Sequence, residues 1–121
     1  MRKILITGGA GNLGGSLSRH LVNNEENYVT IVDDLSTGSL SKLPDSRREN
    51  WRFIKANVND LSEISSIMLS SAFDFVFLYA AVVGVYRTLS NPKRVLDDIE
   101  GIRNVLNLSK NTGVKRVFYS S

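Results

Sequence analysis

Short apolar runs alternate along this chain with stretches in which apolar residues recur every three or four positions. The runs are Lys3-Ile4-Leu5-Ile6, Tyr28-Val29-Thr30-Ile31-Val32, Trp51-Arg52-Phe53-Ile54-Lys55, Asp74-Phe75-Val76-Phe77-Leu78 and Val114 to Tyr119. Their branched and aromatic side chains predict five strands, with Trp51 and Phe53 on one face of the third. The continuous apolar run at 74–78 predicts a strand buried on both faces. Between the runs, Leu13, Leu17 and Leu21 mark one face of a helix, Leu61, Ile64, Ile67 and Met68 a second, and Ile99, Ile102 and Leu106 a third. Asp60 predicts an N-cap, with Glu63 completing a capping box. Asn91-Pro92 opens the long helix and Gly113, after Lys110, closes it. Residues 34 to 50 have the composition of a loop, with a short helical turn around Leu40 to Leu43. This alternation predicts a parallel sheet with right-handed crossovers in the order 3-2-1-4-5, an α/β doubly wound fold of Rossmann type. A ligand belongs at the carboxyl edge of such a sheet, at the switch between strands 1 and 4.

The turn between the first strand and the first helix carries the chemistry. Thr7-Gly8-Gly9-Ala10-Gly11-Asn12-Leu13-Gly14 places Gly9, Gly11 and Gly14 at the spacing G-x-G-x-x-G. The three glycines meet three steric demands, namely a tight turn, close approach of backbone to phosphate, and close packing of helix on strand. Amide N–H groups at the helix start and the positive end of its dipole then attract a diphosphate without Lys or Arg. The second strand ends in Asp33-Asp34, and Asp33 lies nineteen positions after Gly14. An acid roughly 20 residues beyond the glycines is placed to accept hydrogen bonds from an adenosine ribose and to repel a 2′-phosphate, which favours NAD over NADP. The competing reading makes the glycines an ordinary turn and the two acids solvated. After the fourth strand, Tyr79-Ala80-Ala81 sets small residues where a ring or ribose can lie against the backbone, or where they merely pack under a loop.

With 42% apolar and 22% charged residues, the 121 residues read as one soluble domain, a single dinucleotide-binding unit over 1–121. A chain without cysteine has no disulfide and no thiolate chemistry. His20, the single histidine, excludes zinc sites and histidine triads built from one copy, so no metal is expected. The net charge of +3 comes from basic residues interleaved with acids, as in Arg47-Arg48-Glu49, which describes a solvated surface rather than a nucleic-acid partner. No apolar run approaches a membrane span, and the run after Arg2-Lys3 is too short for a signal peptide. A cytoplasmic location is therefore expected.

Taken together, Thr7-Gly8-x-x-Gly11-x-x-Gly14, Asp33 followed by Leu35-Ser36-Thr37-Gly38, Asn91-Pro92, Gly113-Val114-Lys115-Arg116 and Val117-Phe118-Tyr119-Ser120-Ser121 resemble the N-terminal half of the extended short-chain dehydrogenase/reductases. Within that group the likeness is to NAD-dependent nucleotide-sugar epimerases and dehydratases. The resemblance implies NAD with its pyrophosphate on the turn formed by Gly8 and Gly11 to Gly14, through Asn12 and Leu13, and its ribose on Asp33. It also implies adenine beside Asn57-Val58, where the family usually has Asp before a small apolar residue. Leu78, Asp98 and Ile102 likewise depart from the family's usual His, Asn and Thr. The family oxidises a sugar carbon transiently, using a tyrosine in a Tyr-x-x-x-Lys pair. None of Tyr28, Tyr79 and Tyr86 has Lys four positions on, and Tyr119 stands too near the end. No catalytic residue is therefore assigned. The sugar-binding part is expected outside these residues, and the fold as given is expected to leave an apolar edge that favours a homodimer or dependence on cofactor for stability. The principal expectation is the NAD-binding portion of a nucleotide-sugar epimerase or dehydratase. The alternatives are a stand-alone, non-catalytic nucleotide-binding or regulatory module and a reductase of small carbonyl compounds.

Overall fold

The structure, a computed structural model, describes residues 1–36, 38–79 and 92–119, the side chains of 92–99 excepted. Among these, β1 (Arg2–Thr7), β2 (Asn27–Asp33), β3 (Trp51–Lys55), β4 (Phe75–Leu78) and β5 (Arg116–Tyr119) form one sheet. Every pairing is parallel and the order is β3-β2-β1-β4-β5, as the alternation predicts. The connecting helices are α1 (Asn12–Leu21), α2 (Leu61–Ser70) and α3 (Pro92–Asn111), with a 3-10 turn at Leu40–Lys42.

Alternation along β1 divides the interior in two. Ile4 and Ile6 point to one face, where they pack with Val22, Val29 and Ile31 and with the half-buried Leu17, Leu21, Trp51 and Phe53. Leu5 points to the other, into a larger cluster with Val32, Val58, Ile64, Met68, Val76, Leu78 and Val105 beneath α2 and α3. A parallel sheet covered on both faces needs apolar side chains at successive positions, and β1 and β2 supply them.

The helix faces match the spacing in part: Leu17, Leu21, Ile64, Ile67, Met68 and Ile102 face the core, whereas one leucine of each stripe does not. The buried side of α1 is Gly14, Gly15 and Ser18, whereas Leu13 is 68% exposed. This helix lies too close to the sheet for large side chains at its contact line. Leu61, in the first turn of α2, is 55% exposed while Ile64, Ile67 and Met68 are buried. In α3 the inner stripe runs through Gly101, Asn104, Val105 and Ser109, leaving Leu106, one residue round from Val105, 47% exposed. Ile99 and the Asn91 cap lie outside the described side chains.

The start of α2 and the end of α3 follow the capping rules with one exception. The Asp60 carboxylate accepts from the backbone N–H of Ser62 and Glu63. The reciprocal half of a capping box is not formed, because the Asp60 N–H donates to the Asn57 carbonyl instead. Gly113 adopts φ +79, a conformation glycine reaches without penalty, and the Val114 N–H returns to the Ser109 carbonyl to close α3. No described helix is long and apolar enough to cross a membrane.

At the amino edge of the sheet Asp74 ties three strands together. Its carboxylate accepts from the Lys3 N–H at 2.9 Å and stands 3.5 Å from the Lys115 ammonium. The Lys3 N–H, aided by Lys115, holds the Asp74 carboxyl below the usual carboxylate range against the opposing effect of burial. A carboxyl with a depressed folded pKa stabilises fully above its unfolded pKa of about 4. Its contribution is lost as pH falls through the lower, folded value. Asp74→Asn is therefore expected to lower the melting temperature at neutral pH and to flatten the loss of stability below about pH 4, read by thermal denaturation across pH.

Candidate functional site

The glycine turn joins β1 to α1 at the carboxyl edge of the sheet, where β1 separates β2 from β4. Gly8 takes φ +74, in the left-handed region, and donates its N–H to the Val32 carbonyl at 2.7 Å. Its own carbonyl accepts from the Gly11 N–H at 3.1 Å, closing the turn. A Cβ built on Gly14 would stand 2.1 Å from the Gly8 oxygen, and one on Gly9 would stand 2.4 Å from the Ile31 side chain. Only glycine fits these two positions. Ser18 donates its hydroxyl to the Gly14 carbonyl at 2.7 Å and holds the first turns of α1 in place.

Gly11 is different. Its φ of −83 suits any residue, and a Cβ there would stand 3.3 Å from the Gly8 oxygen, a tight contact that a shift of a few tenths of an ångström would relieve. As the N-cap of α1 it offers no side-chain acceptor. Among the described residues none accepts from the N–H groups of Asn12, Leu13 and Gly14, the orphan donors of the first turn. A side chain at position 11 would therefore meet a tight but not forbidding contact, beside three amides that the described residues leave without an acceptor.

Asp33 ends β2, only 7% exposed, and its carboxylate is already engaged. One oxygen accepts from the Ala10 N–H at 3.0 Å and the other from the Leu35 N–H at 2.7 Å. Each carboxylate oxygen has further lone-pair capacity, so a ribose hydroxyl remains compatible with both bonds. Leu35 adopts φ 64, strained for a branched residue, and the Asp33 carboxylate holds it there. Gly38 passes over this arrangement so closely that a Cβ would lie 2.8 Å from the Asp33 oxygen and 2.9 Å from the Ala10 carbonyl. Asp34 is half-buried and accepts from the Ser36 N–H.

The other expected site residues divide. Asn57 is half-buried and uses its amide oxygen to accept from the Asn59 N–H at 2.9 Å, shaping the turn before α2. Val58 is buried in the core with its carbonyl accepting from Asn104 at 3.0 Å, so it presents backbone rather than side chain. Tyr79 donates its N–H to the Thr7 carbonyl at 3.0 Å, drawing the ends of β4 and β1 together. Ala80, Ala81 and Thr37 lie outside the described residues.

Three residues at this edge carry no signal in the sequence pattern. Asn104 clamps the loop carrying Asn57 and Val58, and Gly101 lets α3 approach it, since a Cβ there would stand 2.4 Å from the Asn59 side chain. Lys42 reaches from the 3-10 turn to donate to the Asn12 side-chain oxygen at 2.6 Å. The loop after β2 folds back on α1 and brings this cation beside the glycine turn.

Comparison with known proteins agrees with this geometry. The model of the NAD dependent epimerase/dehydratase family matches residues 4–121. A probable UDP-arabinose 4-epimerase of Oryza sativa subsp. japonica is 35% identical over 127 residues, covering 98% of this chain and 30% of that protein. A dTDP-glucose 4,6-dehydratase of Shigella flexneri is 35% identical over 112 residues, covering 90% of this chain and 31% of its own length. The solved structure of UDP-glucose 4-epimerase with UDP-glucose from Thermotoga maritima superposes with a TM-score of 0.89 at 29% identity, over 98% of this chain and 37% of that one. The chain thus spans about a third of the length of the relatives it matches.

Gly14→Ala forces a Cβ against backbone that cannot yield as a flexible side chain does. A loss of about 3 kcal/mol is expected, at the upper end of ordinary overpacking, measured by denaturant unfolding.

Proposed function

Because the chain belongs to the NAD dependent epimerase/dehydratase family, we propose that residues 1–121 are a single domain that binds NAD for a nucleotide-sugar epimerase or dehydratase. The observation that carries this reading is the start of α1: a glycine cap with no side-chain acceptor, where a Cβ would be tight but not forbidden, beside three amides that have no acceptor among the described residues. A diphosphate supplies the missing acceptors, and the positive end of the α1 dipole favours its charge. In this reading Gly8, Gly11, Asn12, Leu13 and Gly14 hold the pyrophosphate through backbone. Asp33, supported by Asp34, takes the adenosine ribose and disfavours NADP by charge repulsion. Asn57 and the Val58 backbone border the adenine, and Tyr79, Ala80 and Ala81 border the remainder of the cofactor.

Bound NAD supplies a hydride acceptor for the carbon bearing a sugar hydroxyl. The residues of this chain fix the cofactor and set its orientation, while none of them is assigned as the base that removes the hydroxyl proton. The substrate class follows from the relatives: the epimerase and the dehydratase named above both act on sugars joined to a nucleoside diphosphate.

Two measurements test the reading. At a hundredfold excess over Kd, NAD is expected to add about 2.7 kcal/mol of stability, with NADP adding less, in thermal-shift titrations. Folded protein that neither coenzyme stabilises would refute the proposal. Gly11→Ser adds a capping oxygen, worth a few tenths of a kcal/mol to α1, in the space the phosphates need. The variant is expected to melt within a few degrees of the parent and to bind NAD at least about tenfold more weakly by calorimetry.

A further inference from the structure

We propose, resting on the dinucleotide reading above, that Lys42 is a phosphate ligand of this site, a cation carried in by the loop after β2 and held beside the glycine turn by Asn12. The loop is fastened to the turn at several points. The Ser39 N–H donates to the Ala10 carbonyl at 2.9 Å, and the Arg19 guanidinium donates to the Lys42 carbonyl at 2.6 Å. Gly15 leaves just enough room for this, since a Cβ there would lie 3.1 Å from both Lys42 Cβ and the Lys42 carbonyl oxygen. The backbone of Lys42 is thereby pinned against the first turn of α1 while its side chain runs forward to Asn12.

The ammonium ends at Asn12 Oδ1, 2.6 Å away. Asn12 is the first residue of α1 and one of the three whose N–H groups have no acceptor among the described residues. A neutral amide oxygen is a modest partner for a full positive charge, and Lys42 has three N–H donors of which this bond uses one. A diphosphate on the turn would offer a stronger, charge-assisted acceptor within the reach of the same flexible stem. Lys42 would also offset the repulsion between the phosphates and the carboxylates of Asp33 and Asp34 across the site.

Lys42→Met keeps the aliphatic stem and removes the charge, and Lys42→Arg keeps the charge. Calorimetric titration of the parent and both variants with NAD at about 20 mM and about 500 mM salt separates a charge effect from a structural one, because salt screens only the first. Lys42→Met is expected to bind about fivefold more weakly at low salt and within about twofold of the parent at high salt, while Lys42→Arg stays near the parent at both. An unchanged Kd in Lys42→Met, or an equal loss at both salt concentrations, overturns the assignment and leaves the dinucleotide reading standing. Failure of the folded parent to bind NAD at either concentration overturns both.

Discussion

The contact between the first turn of α1 and the Gly8 carbonyl governs the carboxyl edge of this sheet. With a Cβ at Gly14 the two would meet at 2.1 Å, so the helix sits where only backbone can go. That closeness has three consequences. The helix puts small residues at its contact line with Leu17 and Leu21 half-buried beside them, the amide N–H groups of its first turn stand beside the end of β1, and the loop after β2 must cross a crowded surface. Gly38 and Gly15 answer the last demand, each at a point where a Cβ would press on a neighbouring segment at about 3 Å.

Asp33 joins the two halves of the site mechanically as well as chemically. By accepting from Ala10 and Leu35 it links the glycine turn to the loop that follows β2. A buried carboxylate that satisfies two backbone donors is an expensive group to remove, because each donor left alone carries a desolvation cost of roughly 1–3 kcal/mol. The side chain proposed to take a ribose thus also fixes the shape of the turn around it. Under that proposal, binding and folding are coupled at Asp33.

How much of this was legible in the sequence depends on the range over which each determinant acts. Strand order and the glycine turn were readable because period-two runs, glycine spacing and the acid at the end of β2 are local signals whose physical meaning hardly changes with context. Helix faces were harder. Leu13, Leu61 and Leu106 have the right spacing but lie in the first turn of a helix or one position off the contact line, and spacing alone does not fix the rotation of a helix about its axis. Least legible were contacts made across long stretches of chain. Lys42 meets Asn12 thirty positions away, and Asn104 meets the Val58 carbonyl forty-six positions away. Both depend on how a loop or helix docks, which only the assembled fold decides. Glu63 shows the opposite failure: a local motif was present, but the Asp60 N–H had already found the Asn57 carbonyl.

A helix start is ordinarily stabilised by a side chain that accepts from its first amides, and α2 does this with Asp60. The starts of α1 and α2 therefore use different solutions under the same constraint. At α2 the orphan donors are satisfied within the chain and the end is finished as structure. At α1 the cap is glycine with no side-chain acceptor, and Asn12, the first helical residue, turns its oxygen toward Lys42. Stability alone would favour Ser, Asp or Asn at position 11, by a margin of a few tenths of a kcal/mol. A local rule set aside at one helix and kept at the other is what the proposed diphosphate site asks for, since it needs the α1 amides to be open to an acceptor from outside the chain.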